Sequence, residues 1–375
     1  MNQTPSSIMI RRSSGYGNAA EMVGEVLEKS GLLDAMAGPS CRVLVKPNLL
    51  HAAAPGEATT THPEIVRGVV RALQRLGHHP IIGDSYSGAF LWSKRGLERV
   101  YRETGMADVA RGTGCELSWD LKWDLRSLGG RTLARAEVVR VVSQVGFIVN
   151  VPKLKTHSYT GITCAVKNLF GVVPGHFKVG YHARFAEERR FSLALKDLAL
   201  SIPVRATVVD AVVAMEGEGP AGGDPREVGA IVVGGDLQAV DRVAARFCNV
   251  PLHRLPWLDA AADTIVGPAP EELLPGGLKG ATPHRLDMGV FRNPLIRAAT
   301  RRLLKGVFSP APTVVVDRCT RCHACVTACP VDAMAFRDGV PHVDRSRCIR
   351  CYCCHEACRS RAIAIRRPWL GRLLA

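Results

Sequence analysis

The stretch NVPKLKTHSYTGITCAVKNLFG, residues 150–171, carries three lysines, Lys153, Lys155 and Lys167, with a histidine and three threonines among them. It continues an apolar run, FIVNVP, short enough for a strand. A buried strand that ends in a group of cations and hydroxyls is the pattern of an open α/β sheet, whose ligands sit beyond the carboxyl ends of its strands.

Working outward, RVLVKP, PIIGD, ATVVDAV and GAIVVGG read as further strands from about residue 40 to 250. Helix-like stretches alternate with them, among them residues 63–77, PEIVRGVVRALQRLG, with aliphatic positions at i, i+3, i+4 and i+7. The expected fold is therefore α/β with a mostly parallel sheet. Polar residues follow each strand: Lys46 and Asn48, then Asp84 and Ser85, then the lysines and His157. Asp210, Glu216 and Glu218 follow the fourth strand, and Asp236 and Asp241 the last. All are expected to converge on one site. Lys153, Lys155, His157 and Lys167 are the candidate catalytic groups, and Lys46, Asn48, Asp84, Ser85, Thr163 and Asn168 the candidate binding groups.

Within residues 161–171, a helix would put Thr163 and Lys167 on one face. Its free N–H groups would then add to the lysine charge and favour a carboxylate or phosphate. The alternative is that some lysines pair with Asp84, Glu216 or Asp236 and only hold the domain together. His157, His176 and His182 lie close enough in sequence to raise a mononuclear metal site. GEGPAG at 217–222 matches G-x-G-x-x-G by letter, but Pro220, Gly223 and Pro225 leave no room for the helix that a dinucleotide site needs. It reads as a flexible loop over the site. No Walker A sequence supports ATP chemistry, and nothing argues for or against a bound flavin.

Nine of the thirteen cysteines crowd between residues 319 and 358. They run Cys319-x2-Cys322-x2-Cys325-x3-Cys329-Pro330 and then Cys348-x2-Cys351-x2-Cys354-x3-Cys358, each ligand 29 residues after its counterpart. Three thiolates spaced by two residues wrap one face of a cubane, and the same loop turns backbone N–H groups toward its sulfurs. In this pattern the fourth cysteine serves the other cluster. Cys319, Cys322, Cys325 and Cys358 should hold one 4Fe-4S cluster, and Cys348, Cys351, Cys354 and Cys329 the second. Zinc sites use cysteine pairs separated by longer spacers. Residues 312–367 resemble the bacterial two-cluster ferredoxins, with two departures. Arg359 stands where a proline usually follows the last ligand, loosening the helix entry, and Cys353 is an extra thiol beside Cys354.

The formal charge of +15 raises nucleic acid as a partner, but the arginines are scattered and no aromatic-basic platform or helix-turn-helix accompanies them. No apolar run approaches the ~18 residues of a membrane span, and the N-terminus lacks an apolar leader, so the expected location is the cytoplasm.

KPN at 46–48, TTTHPEIVRGVV at 59–70, IIGDS at 81–85, residues 150–175, AMEGEGPAGG at 214–223 and GGDLQAVD at 234–241 together resemble the domain of unknown function 362 family. That resemblance covers most of residues 40–250. It implies an iron–sulfur protein associated with redox reactions, often with a fused two-cluster ferredoxin. The expected organisation is an α/β domain over 1–290, a basic amphipathic linker over 291–311, and a small α+β ferredoxin-like domain with a basic tail over 312–375. Arg297, Arg301, Arg302 and Lys305 alternate with Leu295, Ile296, Leu303 and Leu304 in that linker. Packing against a domain is favoured there over attachment to a membrane surface.

Three functions follow from this reading. The favoured one is an oxidoreductase whose two clusters pass low-potential electrons to an anionic or carbonyl-containing substrate, with His157 delivering a proton. Arg318, Arg321, Arg345, Arg347, Arg350, Arg359 and Arg361 would attract an acidic donor such as a ferredoxin or flavodoxin. The alternatives are an electron carrier whose α/β domain docks a partner, and a redox sensor.

Overall fold

The structure is a computed structural model that describes residues 7–86, 92–259, 263–280 and 310–366. The linker basic residues and the C-terminal tail lie outside those residues.

The N-terminal strands are β1 (Ser7–Arg12), β2 (Arg42–Pro47), β3 (His79–Ile82), β4 (Glu116–Leu117), β5 (Trp123–Ser127) and β6 (Arg135–Val139). They are followed by β7 (Phe147–Val151), β8 (Lys153–His157), β9 (Gly161–Thr163), β10 (Val204–Glu216), β11 (Asp224–Gly234) and β12 (Thr264–Val266). The main sheet runs β12-β1-β11-β10-β7-β2-β3-β4, and β5 and β6 form a separate hairpin. Strands β10, β7, β2, β3 and β4 are parallel. Pro152, which lacks a donor, separates β7 from β8, which continues alongside the long β10 before turning back as β9.

The central strands are buried on both faces, as their unbroken apolar runs require. In β2 and β7, Val43, Val45, Phe147, Val149 and Val151 point into one core with the helices Ala19–Lys29 and Pro63–Arg75. Leu44 and Ile148 point into the other with the helices Glu188–Leu200 and Leu237–Phe247. Each such aliphatic side chain contributes about 1.5–3 kcal/mol by leaving water. The helix Pro63–Arg75 buries Ile65, Val66, Val69, Val70 and Leu73, the stripe expected from its spacing.

One strand direction differs from the sequence expectation. The last run, β11, is antiparallel to both β10 and β1. Residues after it therefore leave from the opposite end to those after β2, β3 and β7. Asp236 caps the helix Leu237–Phe247, accepting from the Ala239 N–H at 2.6 Å. Asp241 accepts from the N–H groups of Ala165 (2.6 Å) and Val166 (3.1 Å). Neither joins the site; both satisfy helix N-termini.

The C-terminal domain has two antiparallel pairs. β13 (Ala311–Val314) joins β16 (Ile363–Arg366), and β14 (Met334–Arg337) joins β15 (Val340–Val343). The 29-residue repeat is written into the backbone. Positive φ recurs at Arg321 and Arg350, at His323 and Tyr352, and at Asp332 and Arg361. These left-handed residues give each cysteine loop its tight turn.

Candidate functional site

The two cysteine sets fit cubanes. Cys329, Cys348, Cys351 and Cys354 together line one cavity, with Tyr352, Met334 and Val343 as apolar walls. Cys358 lies near enough to Cys325 to interact electrostatically with it, as does Cys322. These proximities agree with the crossed sharing of fourth ligands that the spacing predicts. Backbone N–H groups reach sulfur at equivalent places, Ala333 to Cys329 and Ala362 to Cys358, both at 3.1 Å. Arg359 therefore leaves that geometry intact. Among the described residues no three His, Cys, Asp or Glu side chains converge closely enough for a single ion. The cysteines Cys329, Cys348, Cys351 and Cys354 instead line one common cavity. His157 and His182 are buried while His176, on the same helix as His182, lies tilted against Phe177 at 4.1 Å, and the three form no metal-sized group among the described residues.

The cluster domain docks on the α/β sheet. Tyr352 belongs to the sheet's own apolar core. His355 Nε2 lies 3.0 Å from the Glu218 carbonyl, and Arg361 donates to Asp224 Oδ1 (3.0 Å) and to the Gly223 carbonyl (2.8 Å). The loop read as flexible is this docking seat. It is pinned by Ser158 Oγ and Thr156 Oγ1, which donate to the Gly219 and Gly217 carbonyls at 2.9 Å. A Cβ on Gly222 would stand 2.6 Å from His355 Cε1, so only glycine admits the imidazole.

Docking closes a cavity of about 100 Å³. One wall comes from the α/β domain: Asn48, Asp84, Ser85, Lys167, Asn168 and, from the helix Gly175–Arg184, Lys178 and His182. The other is Ala328, Cys353, Glu356 and Ala357 of the cluster domain.

A second tier of buried groups fixes these residues. Lys155 donates to Thr59 O (2.8 Å), Asn48 Oδ1 (2.9 Å) and Pro220 O (3.3 Å). Asn48 donates to Asn168 Oδ1 at 3.0 Å, and Asn168 donates to Asn150 Oδ1 at 2.8 Å. Lys46 pairs with Asp84 at 2.7 Å. Lys178 donates to the Ser85 carbonyl. The Lys167 ammonium makes no hydrogen bond or ion pair among the described residues and lies 5.0 Å from the Phe170 ring centre.

Burial sets the charge balance. It pushes Lys155 and Lys178 down to about 7, with neighbouring Lys167 lowering Lys155 further and Asp84 opposing the fall at Lys178. Lys167 is lowered too, chiefly by burial. Burial raises the Glu356 carboxyl while Lys167, His355, Lys155 and Lys178 pull it back. The buried atoms Ser85 Oγ, His182 Nδ1, His157 Nε2 and Glu356 Oε1, without a hydrogen-bond partner among the described residues, lie at or beside this cavity.

His157 departs from its expected role. Its Nδ1 accepts from the Tyr159 and Thr160 N–H groups at 3.0 and 3.3 Å, which places the proton on Nε2. Burial and the nearby lysines hold the ring well below its ordinary value, so it is a neutral hydrogen-bond donor and not a proton source near pH 7. Lys153 departs as well: fully buried, it pairs with Asp210 at 2.9 Å and donates to Tyr16 Oη at 2.9 Å. Tyr16 in turn stacks on His62 at 3.5 Å. Thr163 lies in β9 opposite Lys155, not on a helix, because the helix begins only at Ala165. Glu216 accepts from the Lys279 N–H and is likewise outside the cavity.

Sequence reasoning thus found most of one wall and missed Lys178, Ala328, Glu356 and Ala357; it named His182 only as a candidate metal ligand and Cys353 only as an extra thiol. The i, i+4 spacing of Lys178 and His182 in a short helical stretch was the signal available for Lys178.

A family model described as "Domain of unknown function (DUF362)" matches residues 43–246, and one described as "4Fe-4S dicluster domain" matches residues 311–359. A thylakoid-associated protein of Synechocystis sp. is 30% identical over 270 residues, or 71% of this chain and 82% of the relative. Among solved structures, the lactate racemase apoprotein of Thermoanaerobacterium thermosaccharolyticum aligns at TM-score 0.41 and 11% identity. That alignment covers 66% of this chain and 57% of the racemase, so the chain spans little more than half of its length.

Proposed function

Because this chain belongs to the domain of unknown function 362 family and ends in a 4Fe-4S dicluster domain, we propose that it is an iron–sulfur oxidoreductase acting on a ligand held where the two domains meet. One observation carries this reading. The cavity has the helix-borne cations Lys167 and Lys178 on one wall and, on the other, Cys353, the neighbour of cluster ligand Cys354. When bound, the clusters supply electrons singly and at low potential.

The remaining work falls to the chain's own residues. Lys167 and Lys178 attract and orient an anionic or carbonyl-containing ligand, as preorganised cations do. Lys155, Asn48 and Asn168 fix that wall, and the docked helix Cys353–Glu356 restricts water from the other side. The set at Cys329, Cys348, Cys351 and Cys354 is read as the nearer to the ligand, since Ala328 and Cys353, beside its members Cys329 and Cys354, line the cavity, whereas Cys322 of the other set is exposed. Arg318 and Arg321, exposed beside Cys322, would offer an acidic ferredoxin or flavodoxin a cationic landing surface at the other set. Among the described residues no helix is long and apolar enough to cross a membrane, and an oxygen-poor cytoplasm suits exposed clusters.

The test is anaerobic stopped-flow of the pre-reduced protein against a panel of small oxo acids. Cluster bleaching should recover with one of them in the wild type and fail in Lys167→Gln at equal iron content. Recovery unchanged in that variant would sink the site assignment.

A further inference from the structure

We propose that the interface cavity takes a small oxoanion, a carboxylate or an inorganic oxoanion of similar size. Its charged end lies on Lys167, Lys178 and Ser85 and its other end faces Cys353 and Ala357. This deepens the oxidoreductase reading and rests on it only for the location of the ligand.

Size comes first. A cavity of about 100 Å³, at the ~30 Å³ that a water occupies in the liquid, holds on the order of three waters. That suits a ligand of a few non-hydrogen atoms and is far below the volume of a flavin's fused rings.

Charge comes second. Lys46 and Asp84 neutralise one another across 2.7 Å, leaving Lys155, Lys167 and Lys178 against the single carboxyl of Glu356. Lys155 already serves three acceptors, so Lys167 and the remaining protons of Lys178 are the donors available to a ligand.

Unmet hydrogen bonds come third. Ser85 is 1% and His182 4% exposed, yet Ser85 Oγ and His182 Nδ1 have no hydrogen-bond partner among the described residues. Leaving such groups unpaired away from water is costly, and both line this cavity. An oxoanion accepts from the serine hydroxyl and from both ammonium groups at once; a neutral carbonyl lacks the charge to offset the lysines.

The experiment is anaerobic calorimetry of the full chain with both clusters, titrated with acetate, glyoxylate, sulfite, acetamide and flavin mononucleotide. At least one oxoanion should bind at one site per chain, with acetamide weaker than acetate by about tenfold or more. Lys167→Gln should lose that affinity and Lys167→Arg should keep most of it, each with wild-type iron content. Binding by acetate and glyoxylate alone assigns an organic carboxylate; binding by sulfite alone assigns an inorganic oxoanion. No oxoanion binding, acetamide equal to acetate, indifference of Lys167→Gln, or stoichiometric binding of flavin mononucleotide overturns the proposal. Binding without recovery of reduced clusters by any ligand would leave the ligand class standing and defeat the redox reading instead.

Discussion

Glu356 Oε1 stands 3.6 Å from His157 Nε2, so the cluster domain and strand β8 of the sheet meet at a carboxyl and a neutral imidazole. The carboxyl comes from the turn of helix that carries Cys354, and the imidazole is fixed by two backbone N–H groups. The contact places a cluster-domain side chain inside the lysine-lined wall, which is what makes the cavity a joint property of both domains.

Removing that carboxyl should be felt as stability before it is felt as chemistry. Glu356→Ala leaves three buried lysines without their nearest free counter-charge, a loss of about 1–3 kcal/mol. Chemical denaturation monitored by the cluster absorbance should show it. An unchanged midpoint would mean that the lysines are neutral in the folded protein.

Lys153 and Asp210 should behave as a structural pair. Asp210→Asn strands a fully buried ammonium and should cost about 3–5 kcal/mol, whereas Tyr16→Phe should cost about 1 kcal/mol. Folded Tyr16→Phe protein should retain wild-type oxoanion affinity in calorimetry. A large affinity loss there would return Lys153 to the site.

The pH dependence follows from Lys155 and Lys178, both lowered from 10.5 to about 7. Between those values the unfolded chain holds more protons than the folded one, so stability should rise as pH rises through that range. Oxoanion affinity should move the opposite way, falling as pH passes 7 and Lys178 loses its charge. Paired denaturation and calorimetry at pH 6 and 8.5 would check both slopes; affinity that rises with pH would refute the assignment of these cations.

Gly222→Val should undock the cluster domain, because its side chain would occupy the space of His355. Iron content should persist while the backbone amides of residues 217–223 become more open to hydrogen exchange. Gly56→Ala, with open space around its Cβ position, serves as the control and should change neither.

Much of this was legible in the chain. The cluster ligands were, because a cubane imposes its spacing on a short continuous stretch and the 29-residue repeat doubles the signal. The strand runs were, because strands covered on both faces must be apolar throughout. Asn48, Asp84, Ser85, Lys167 and Asn168 were found as residues just beyond strands and do line the cavity. Asp236 and Asp241 were misplaced because sequence does not give strand direction, and β11 is antiparallel. Lys153 and Lys155 sit two residues apart in one strand, and only the partners brought by β10 and by the loop at Pro220 separate the ion pair from the site lysine. Glu356 and Cys353 were out of reach for a different reason. Their place depends on docking two domains far apart in sequence, which no local pattern encodes.

The most direct measurement is electron–nuclear double resonance on the reduced protein with ¹³C-labelled oxalate or glyoxylate bound. The account predicts ¹³C coupling to the cluster held by Cys329, Cys348, Cys351 and Cys354, lost in Lys167→Gln. Coupling to the other cluster alone, or none while the ligand is shown to be bound, would contradict it.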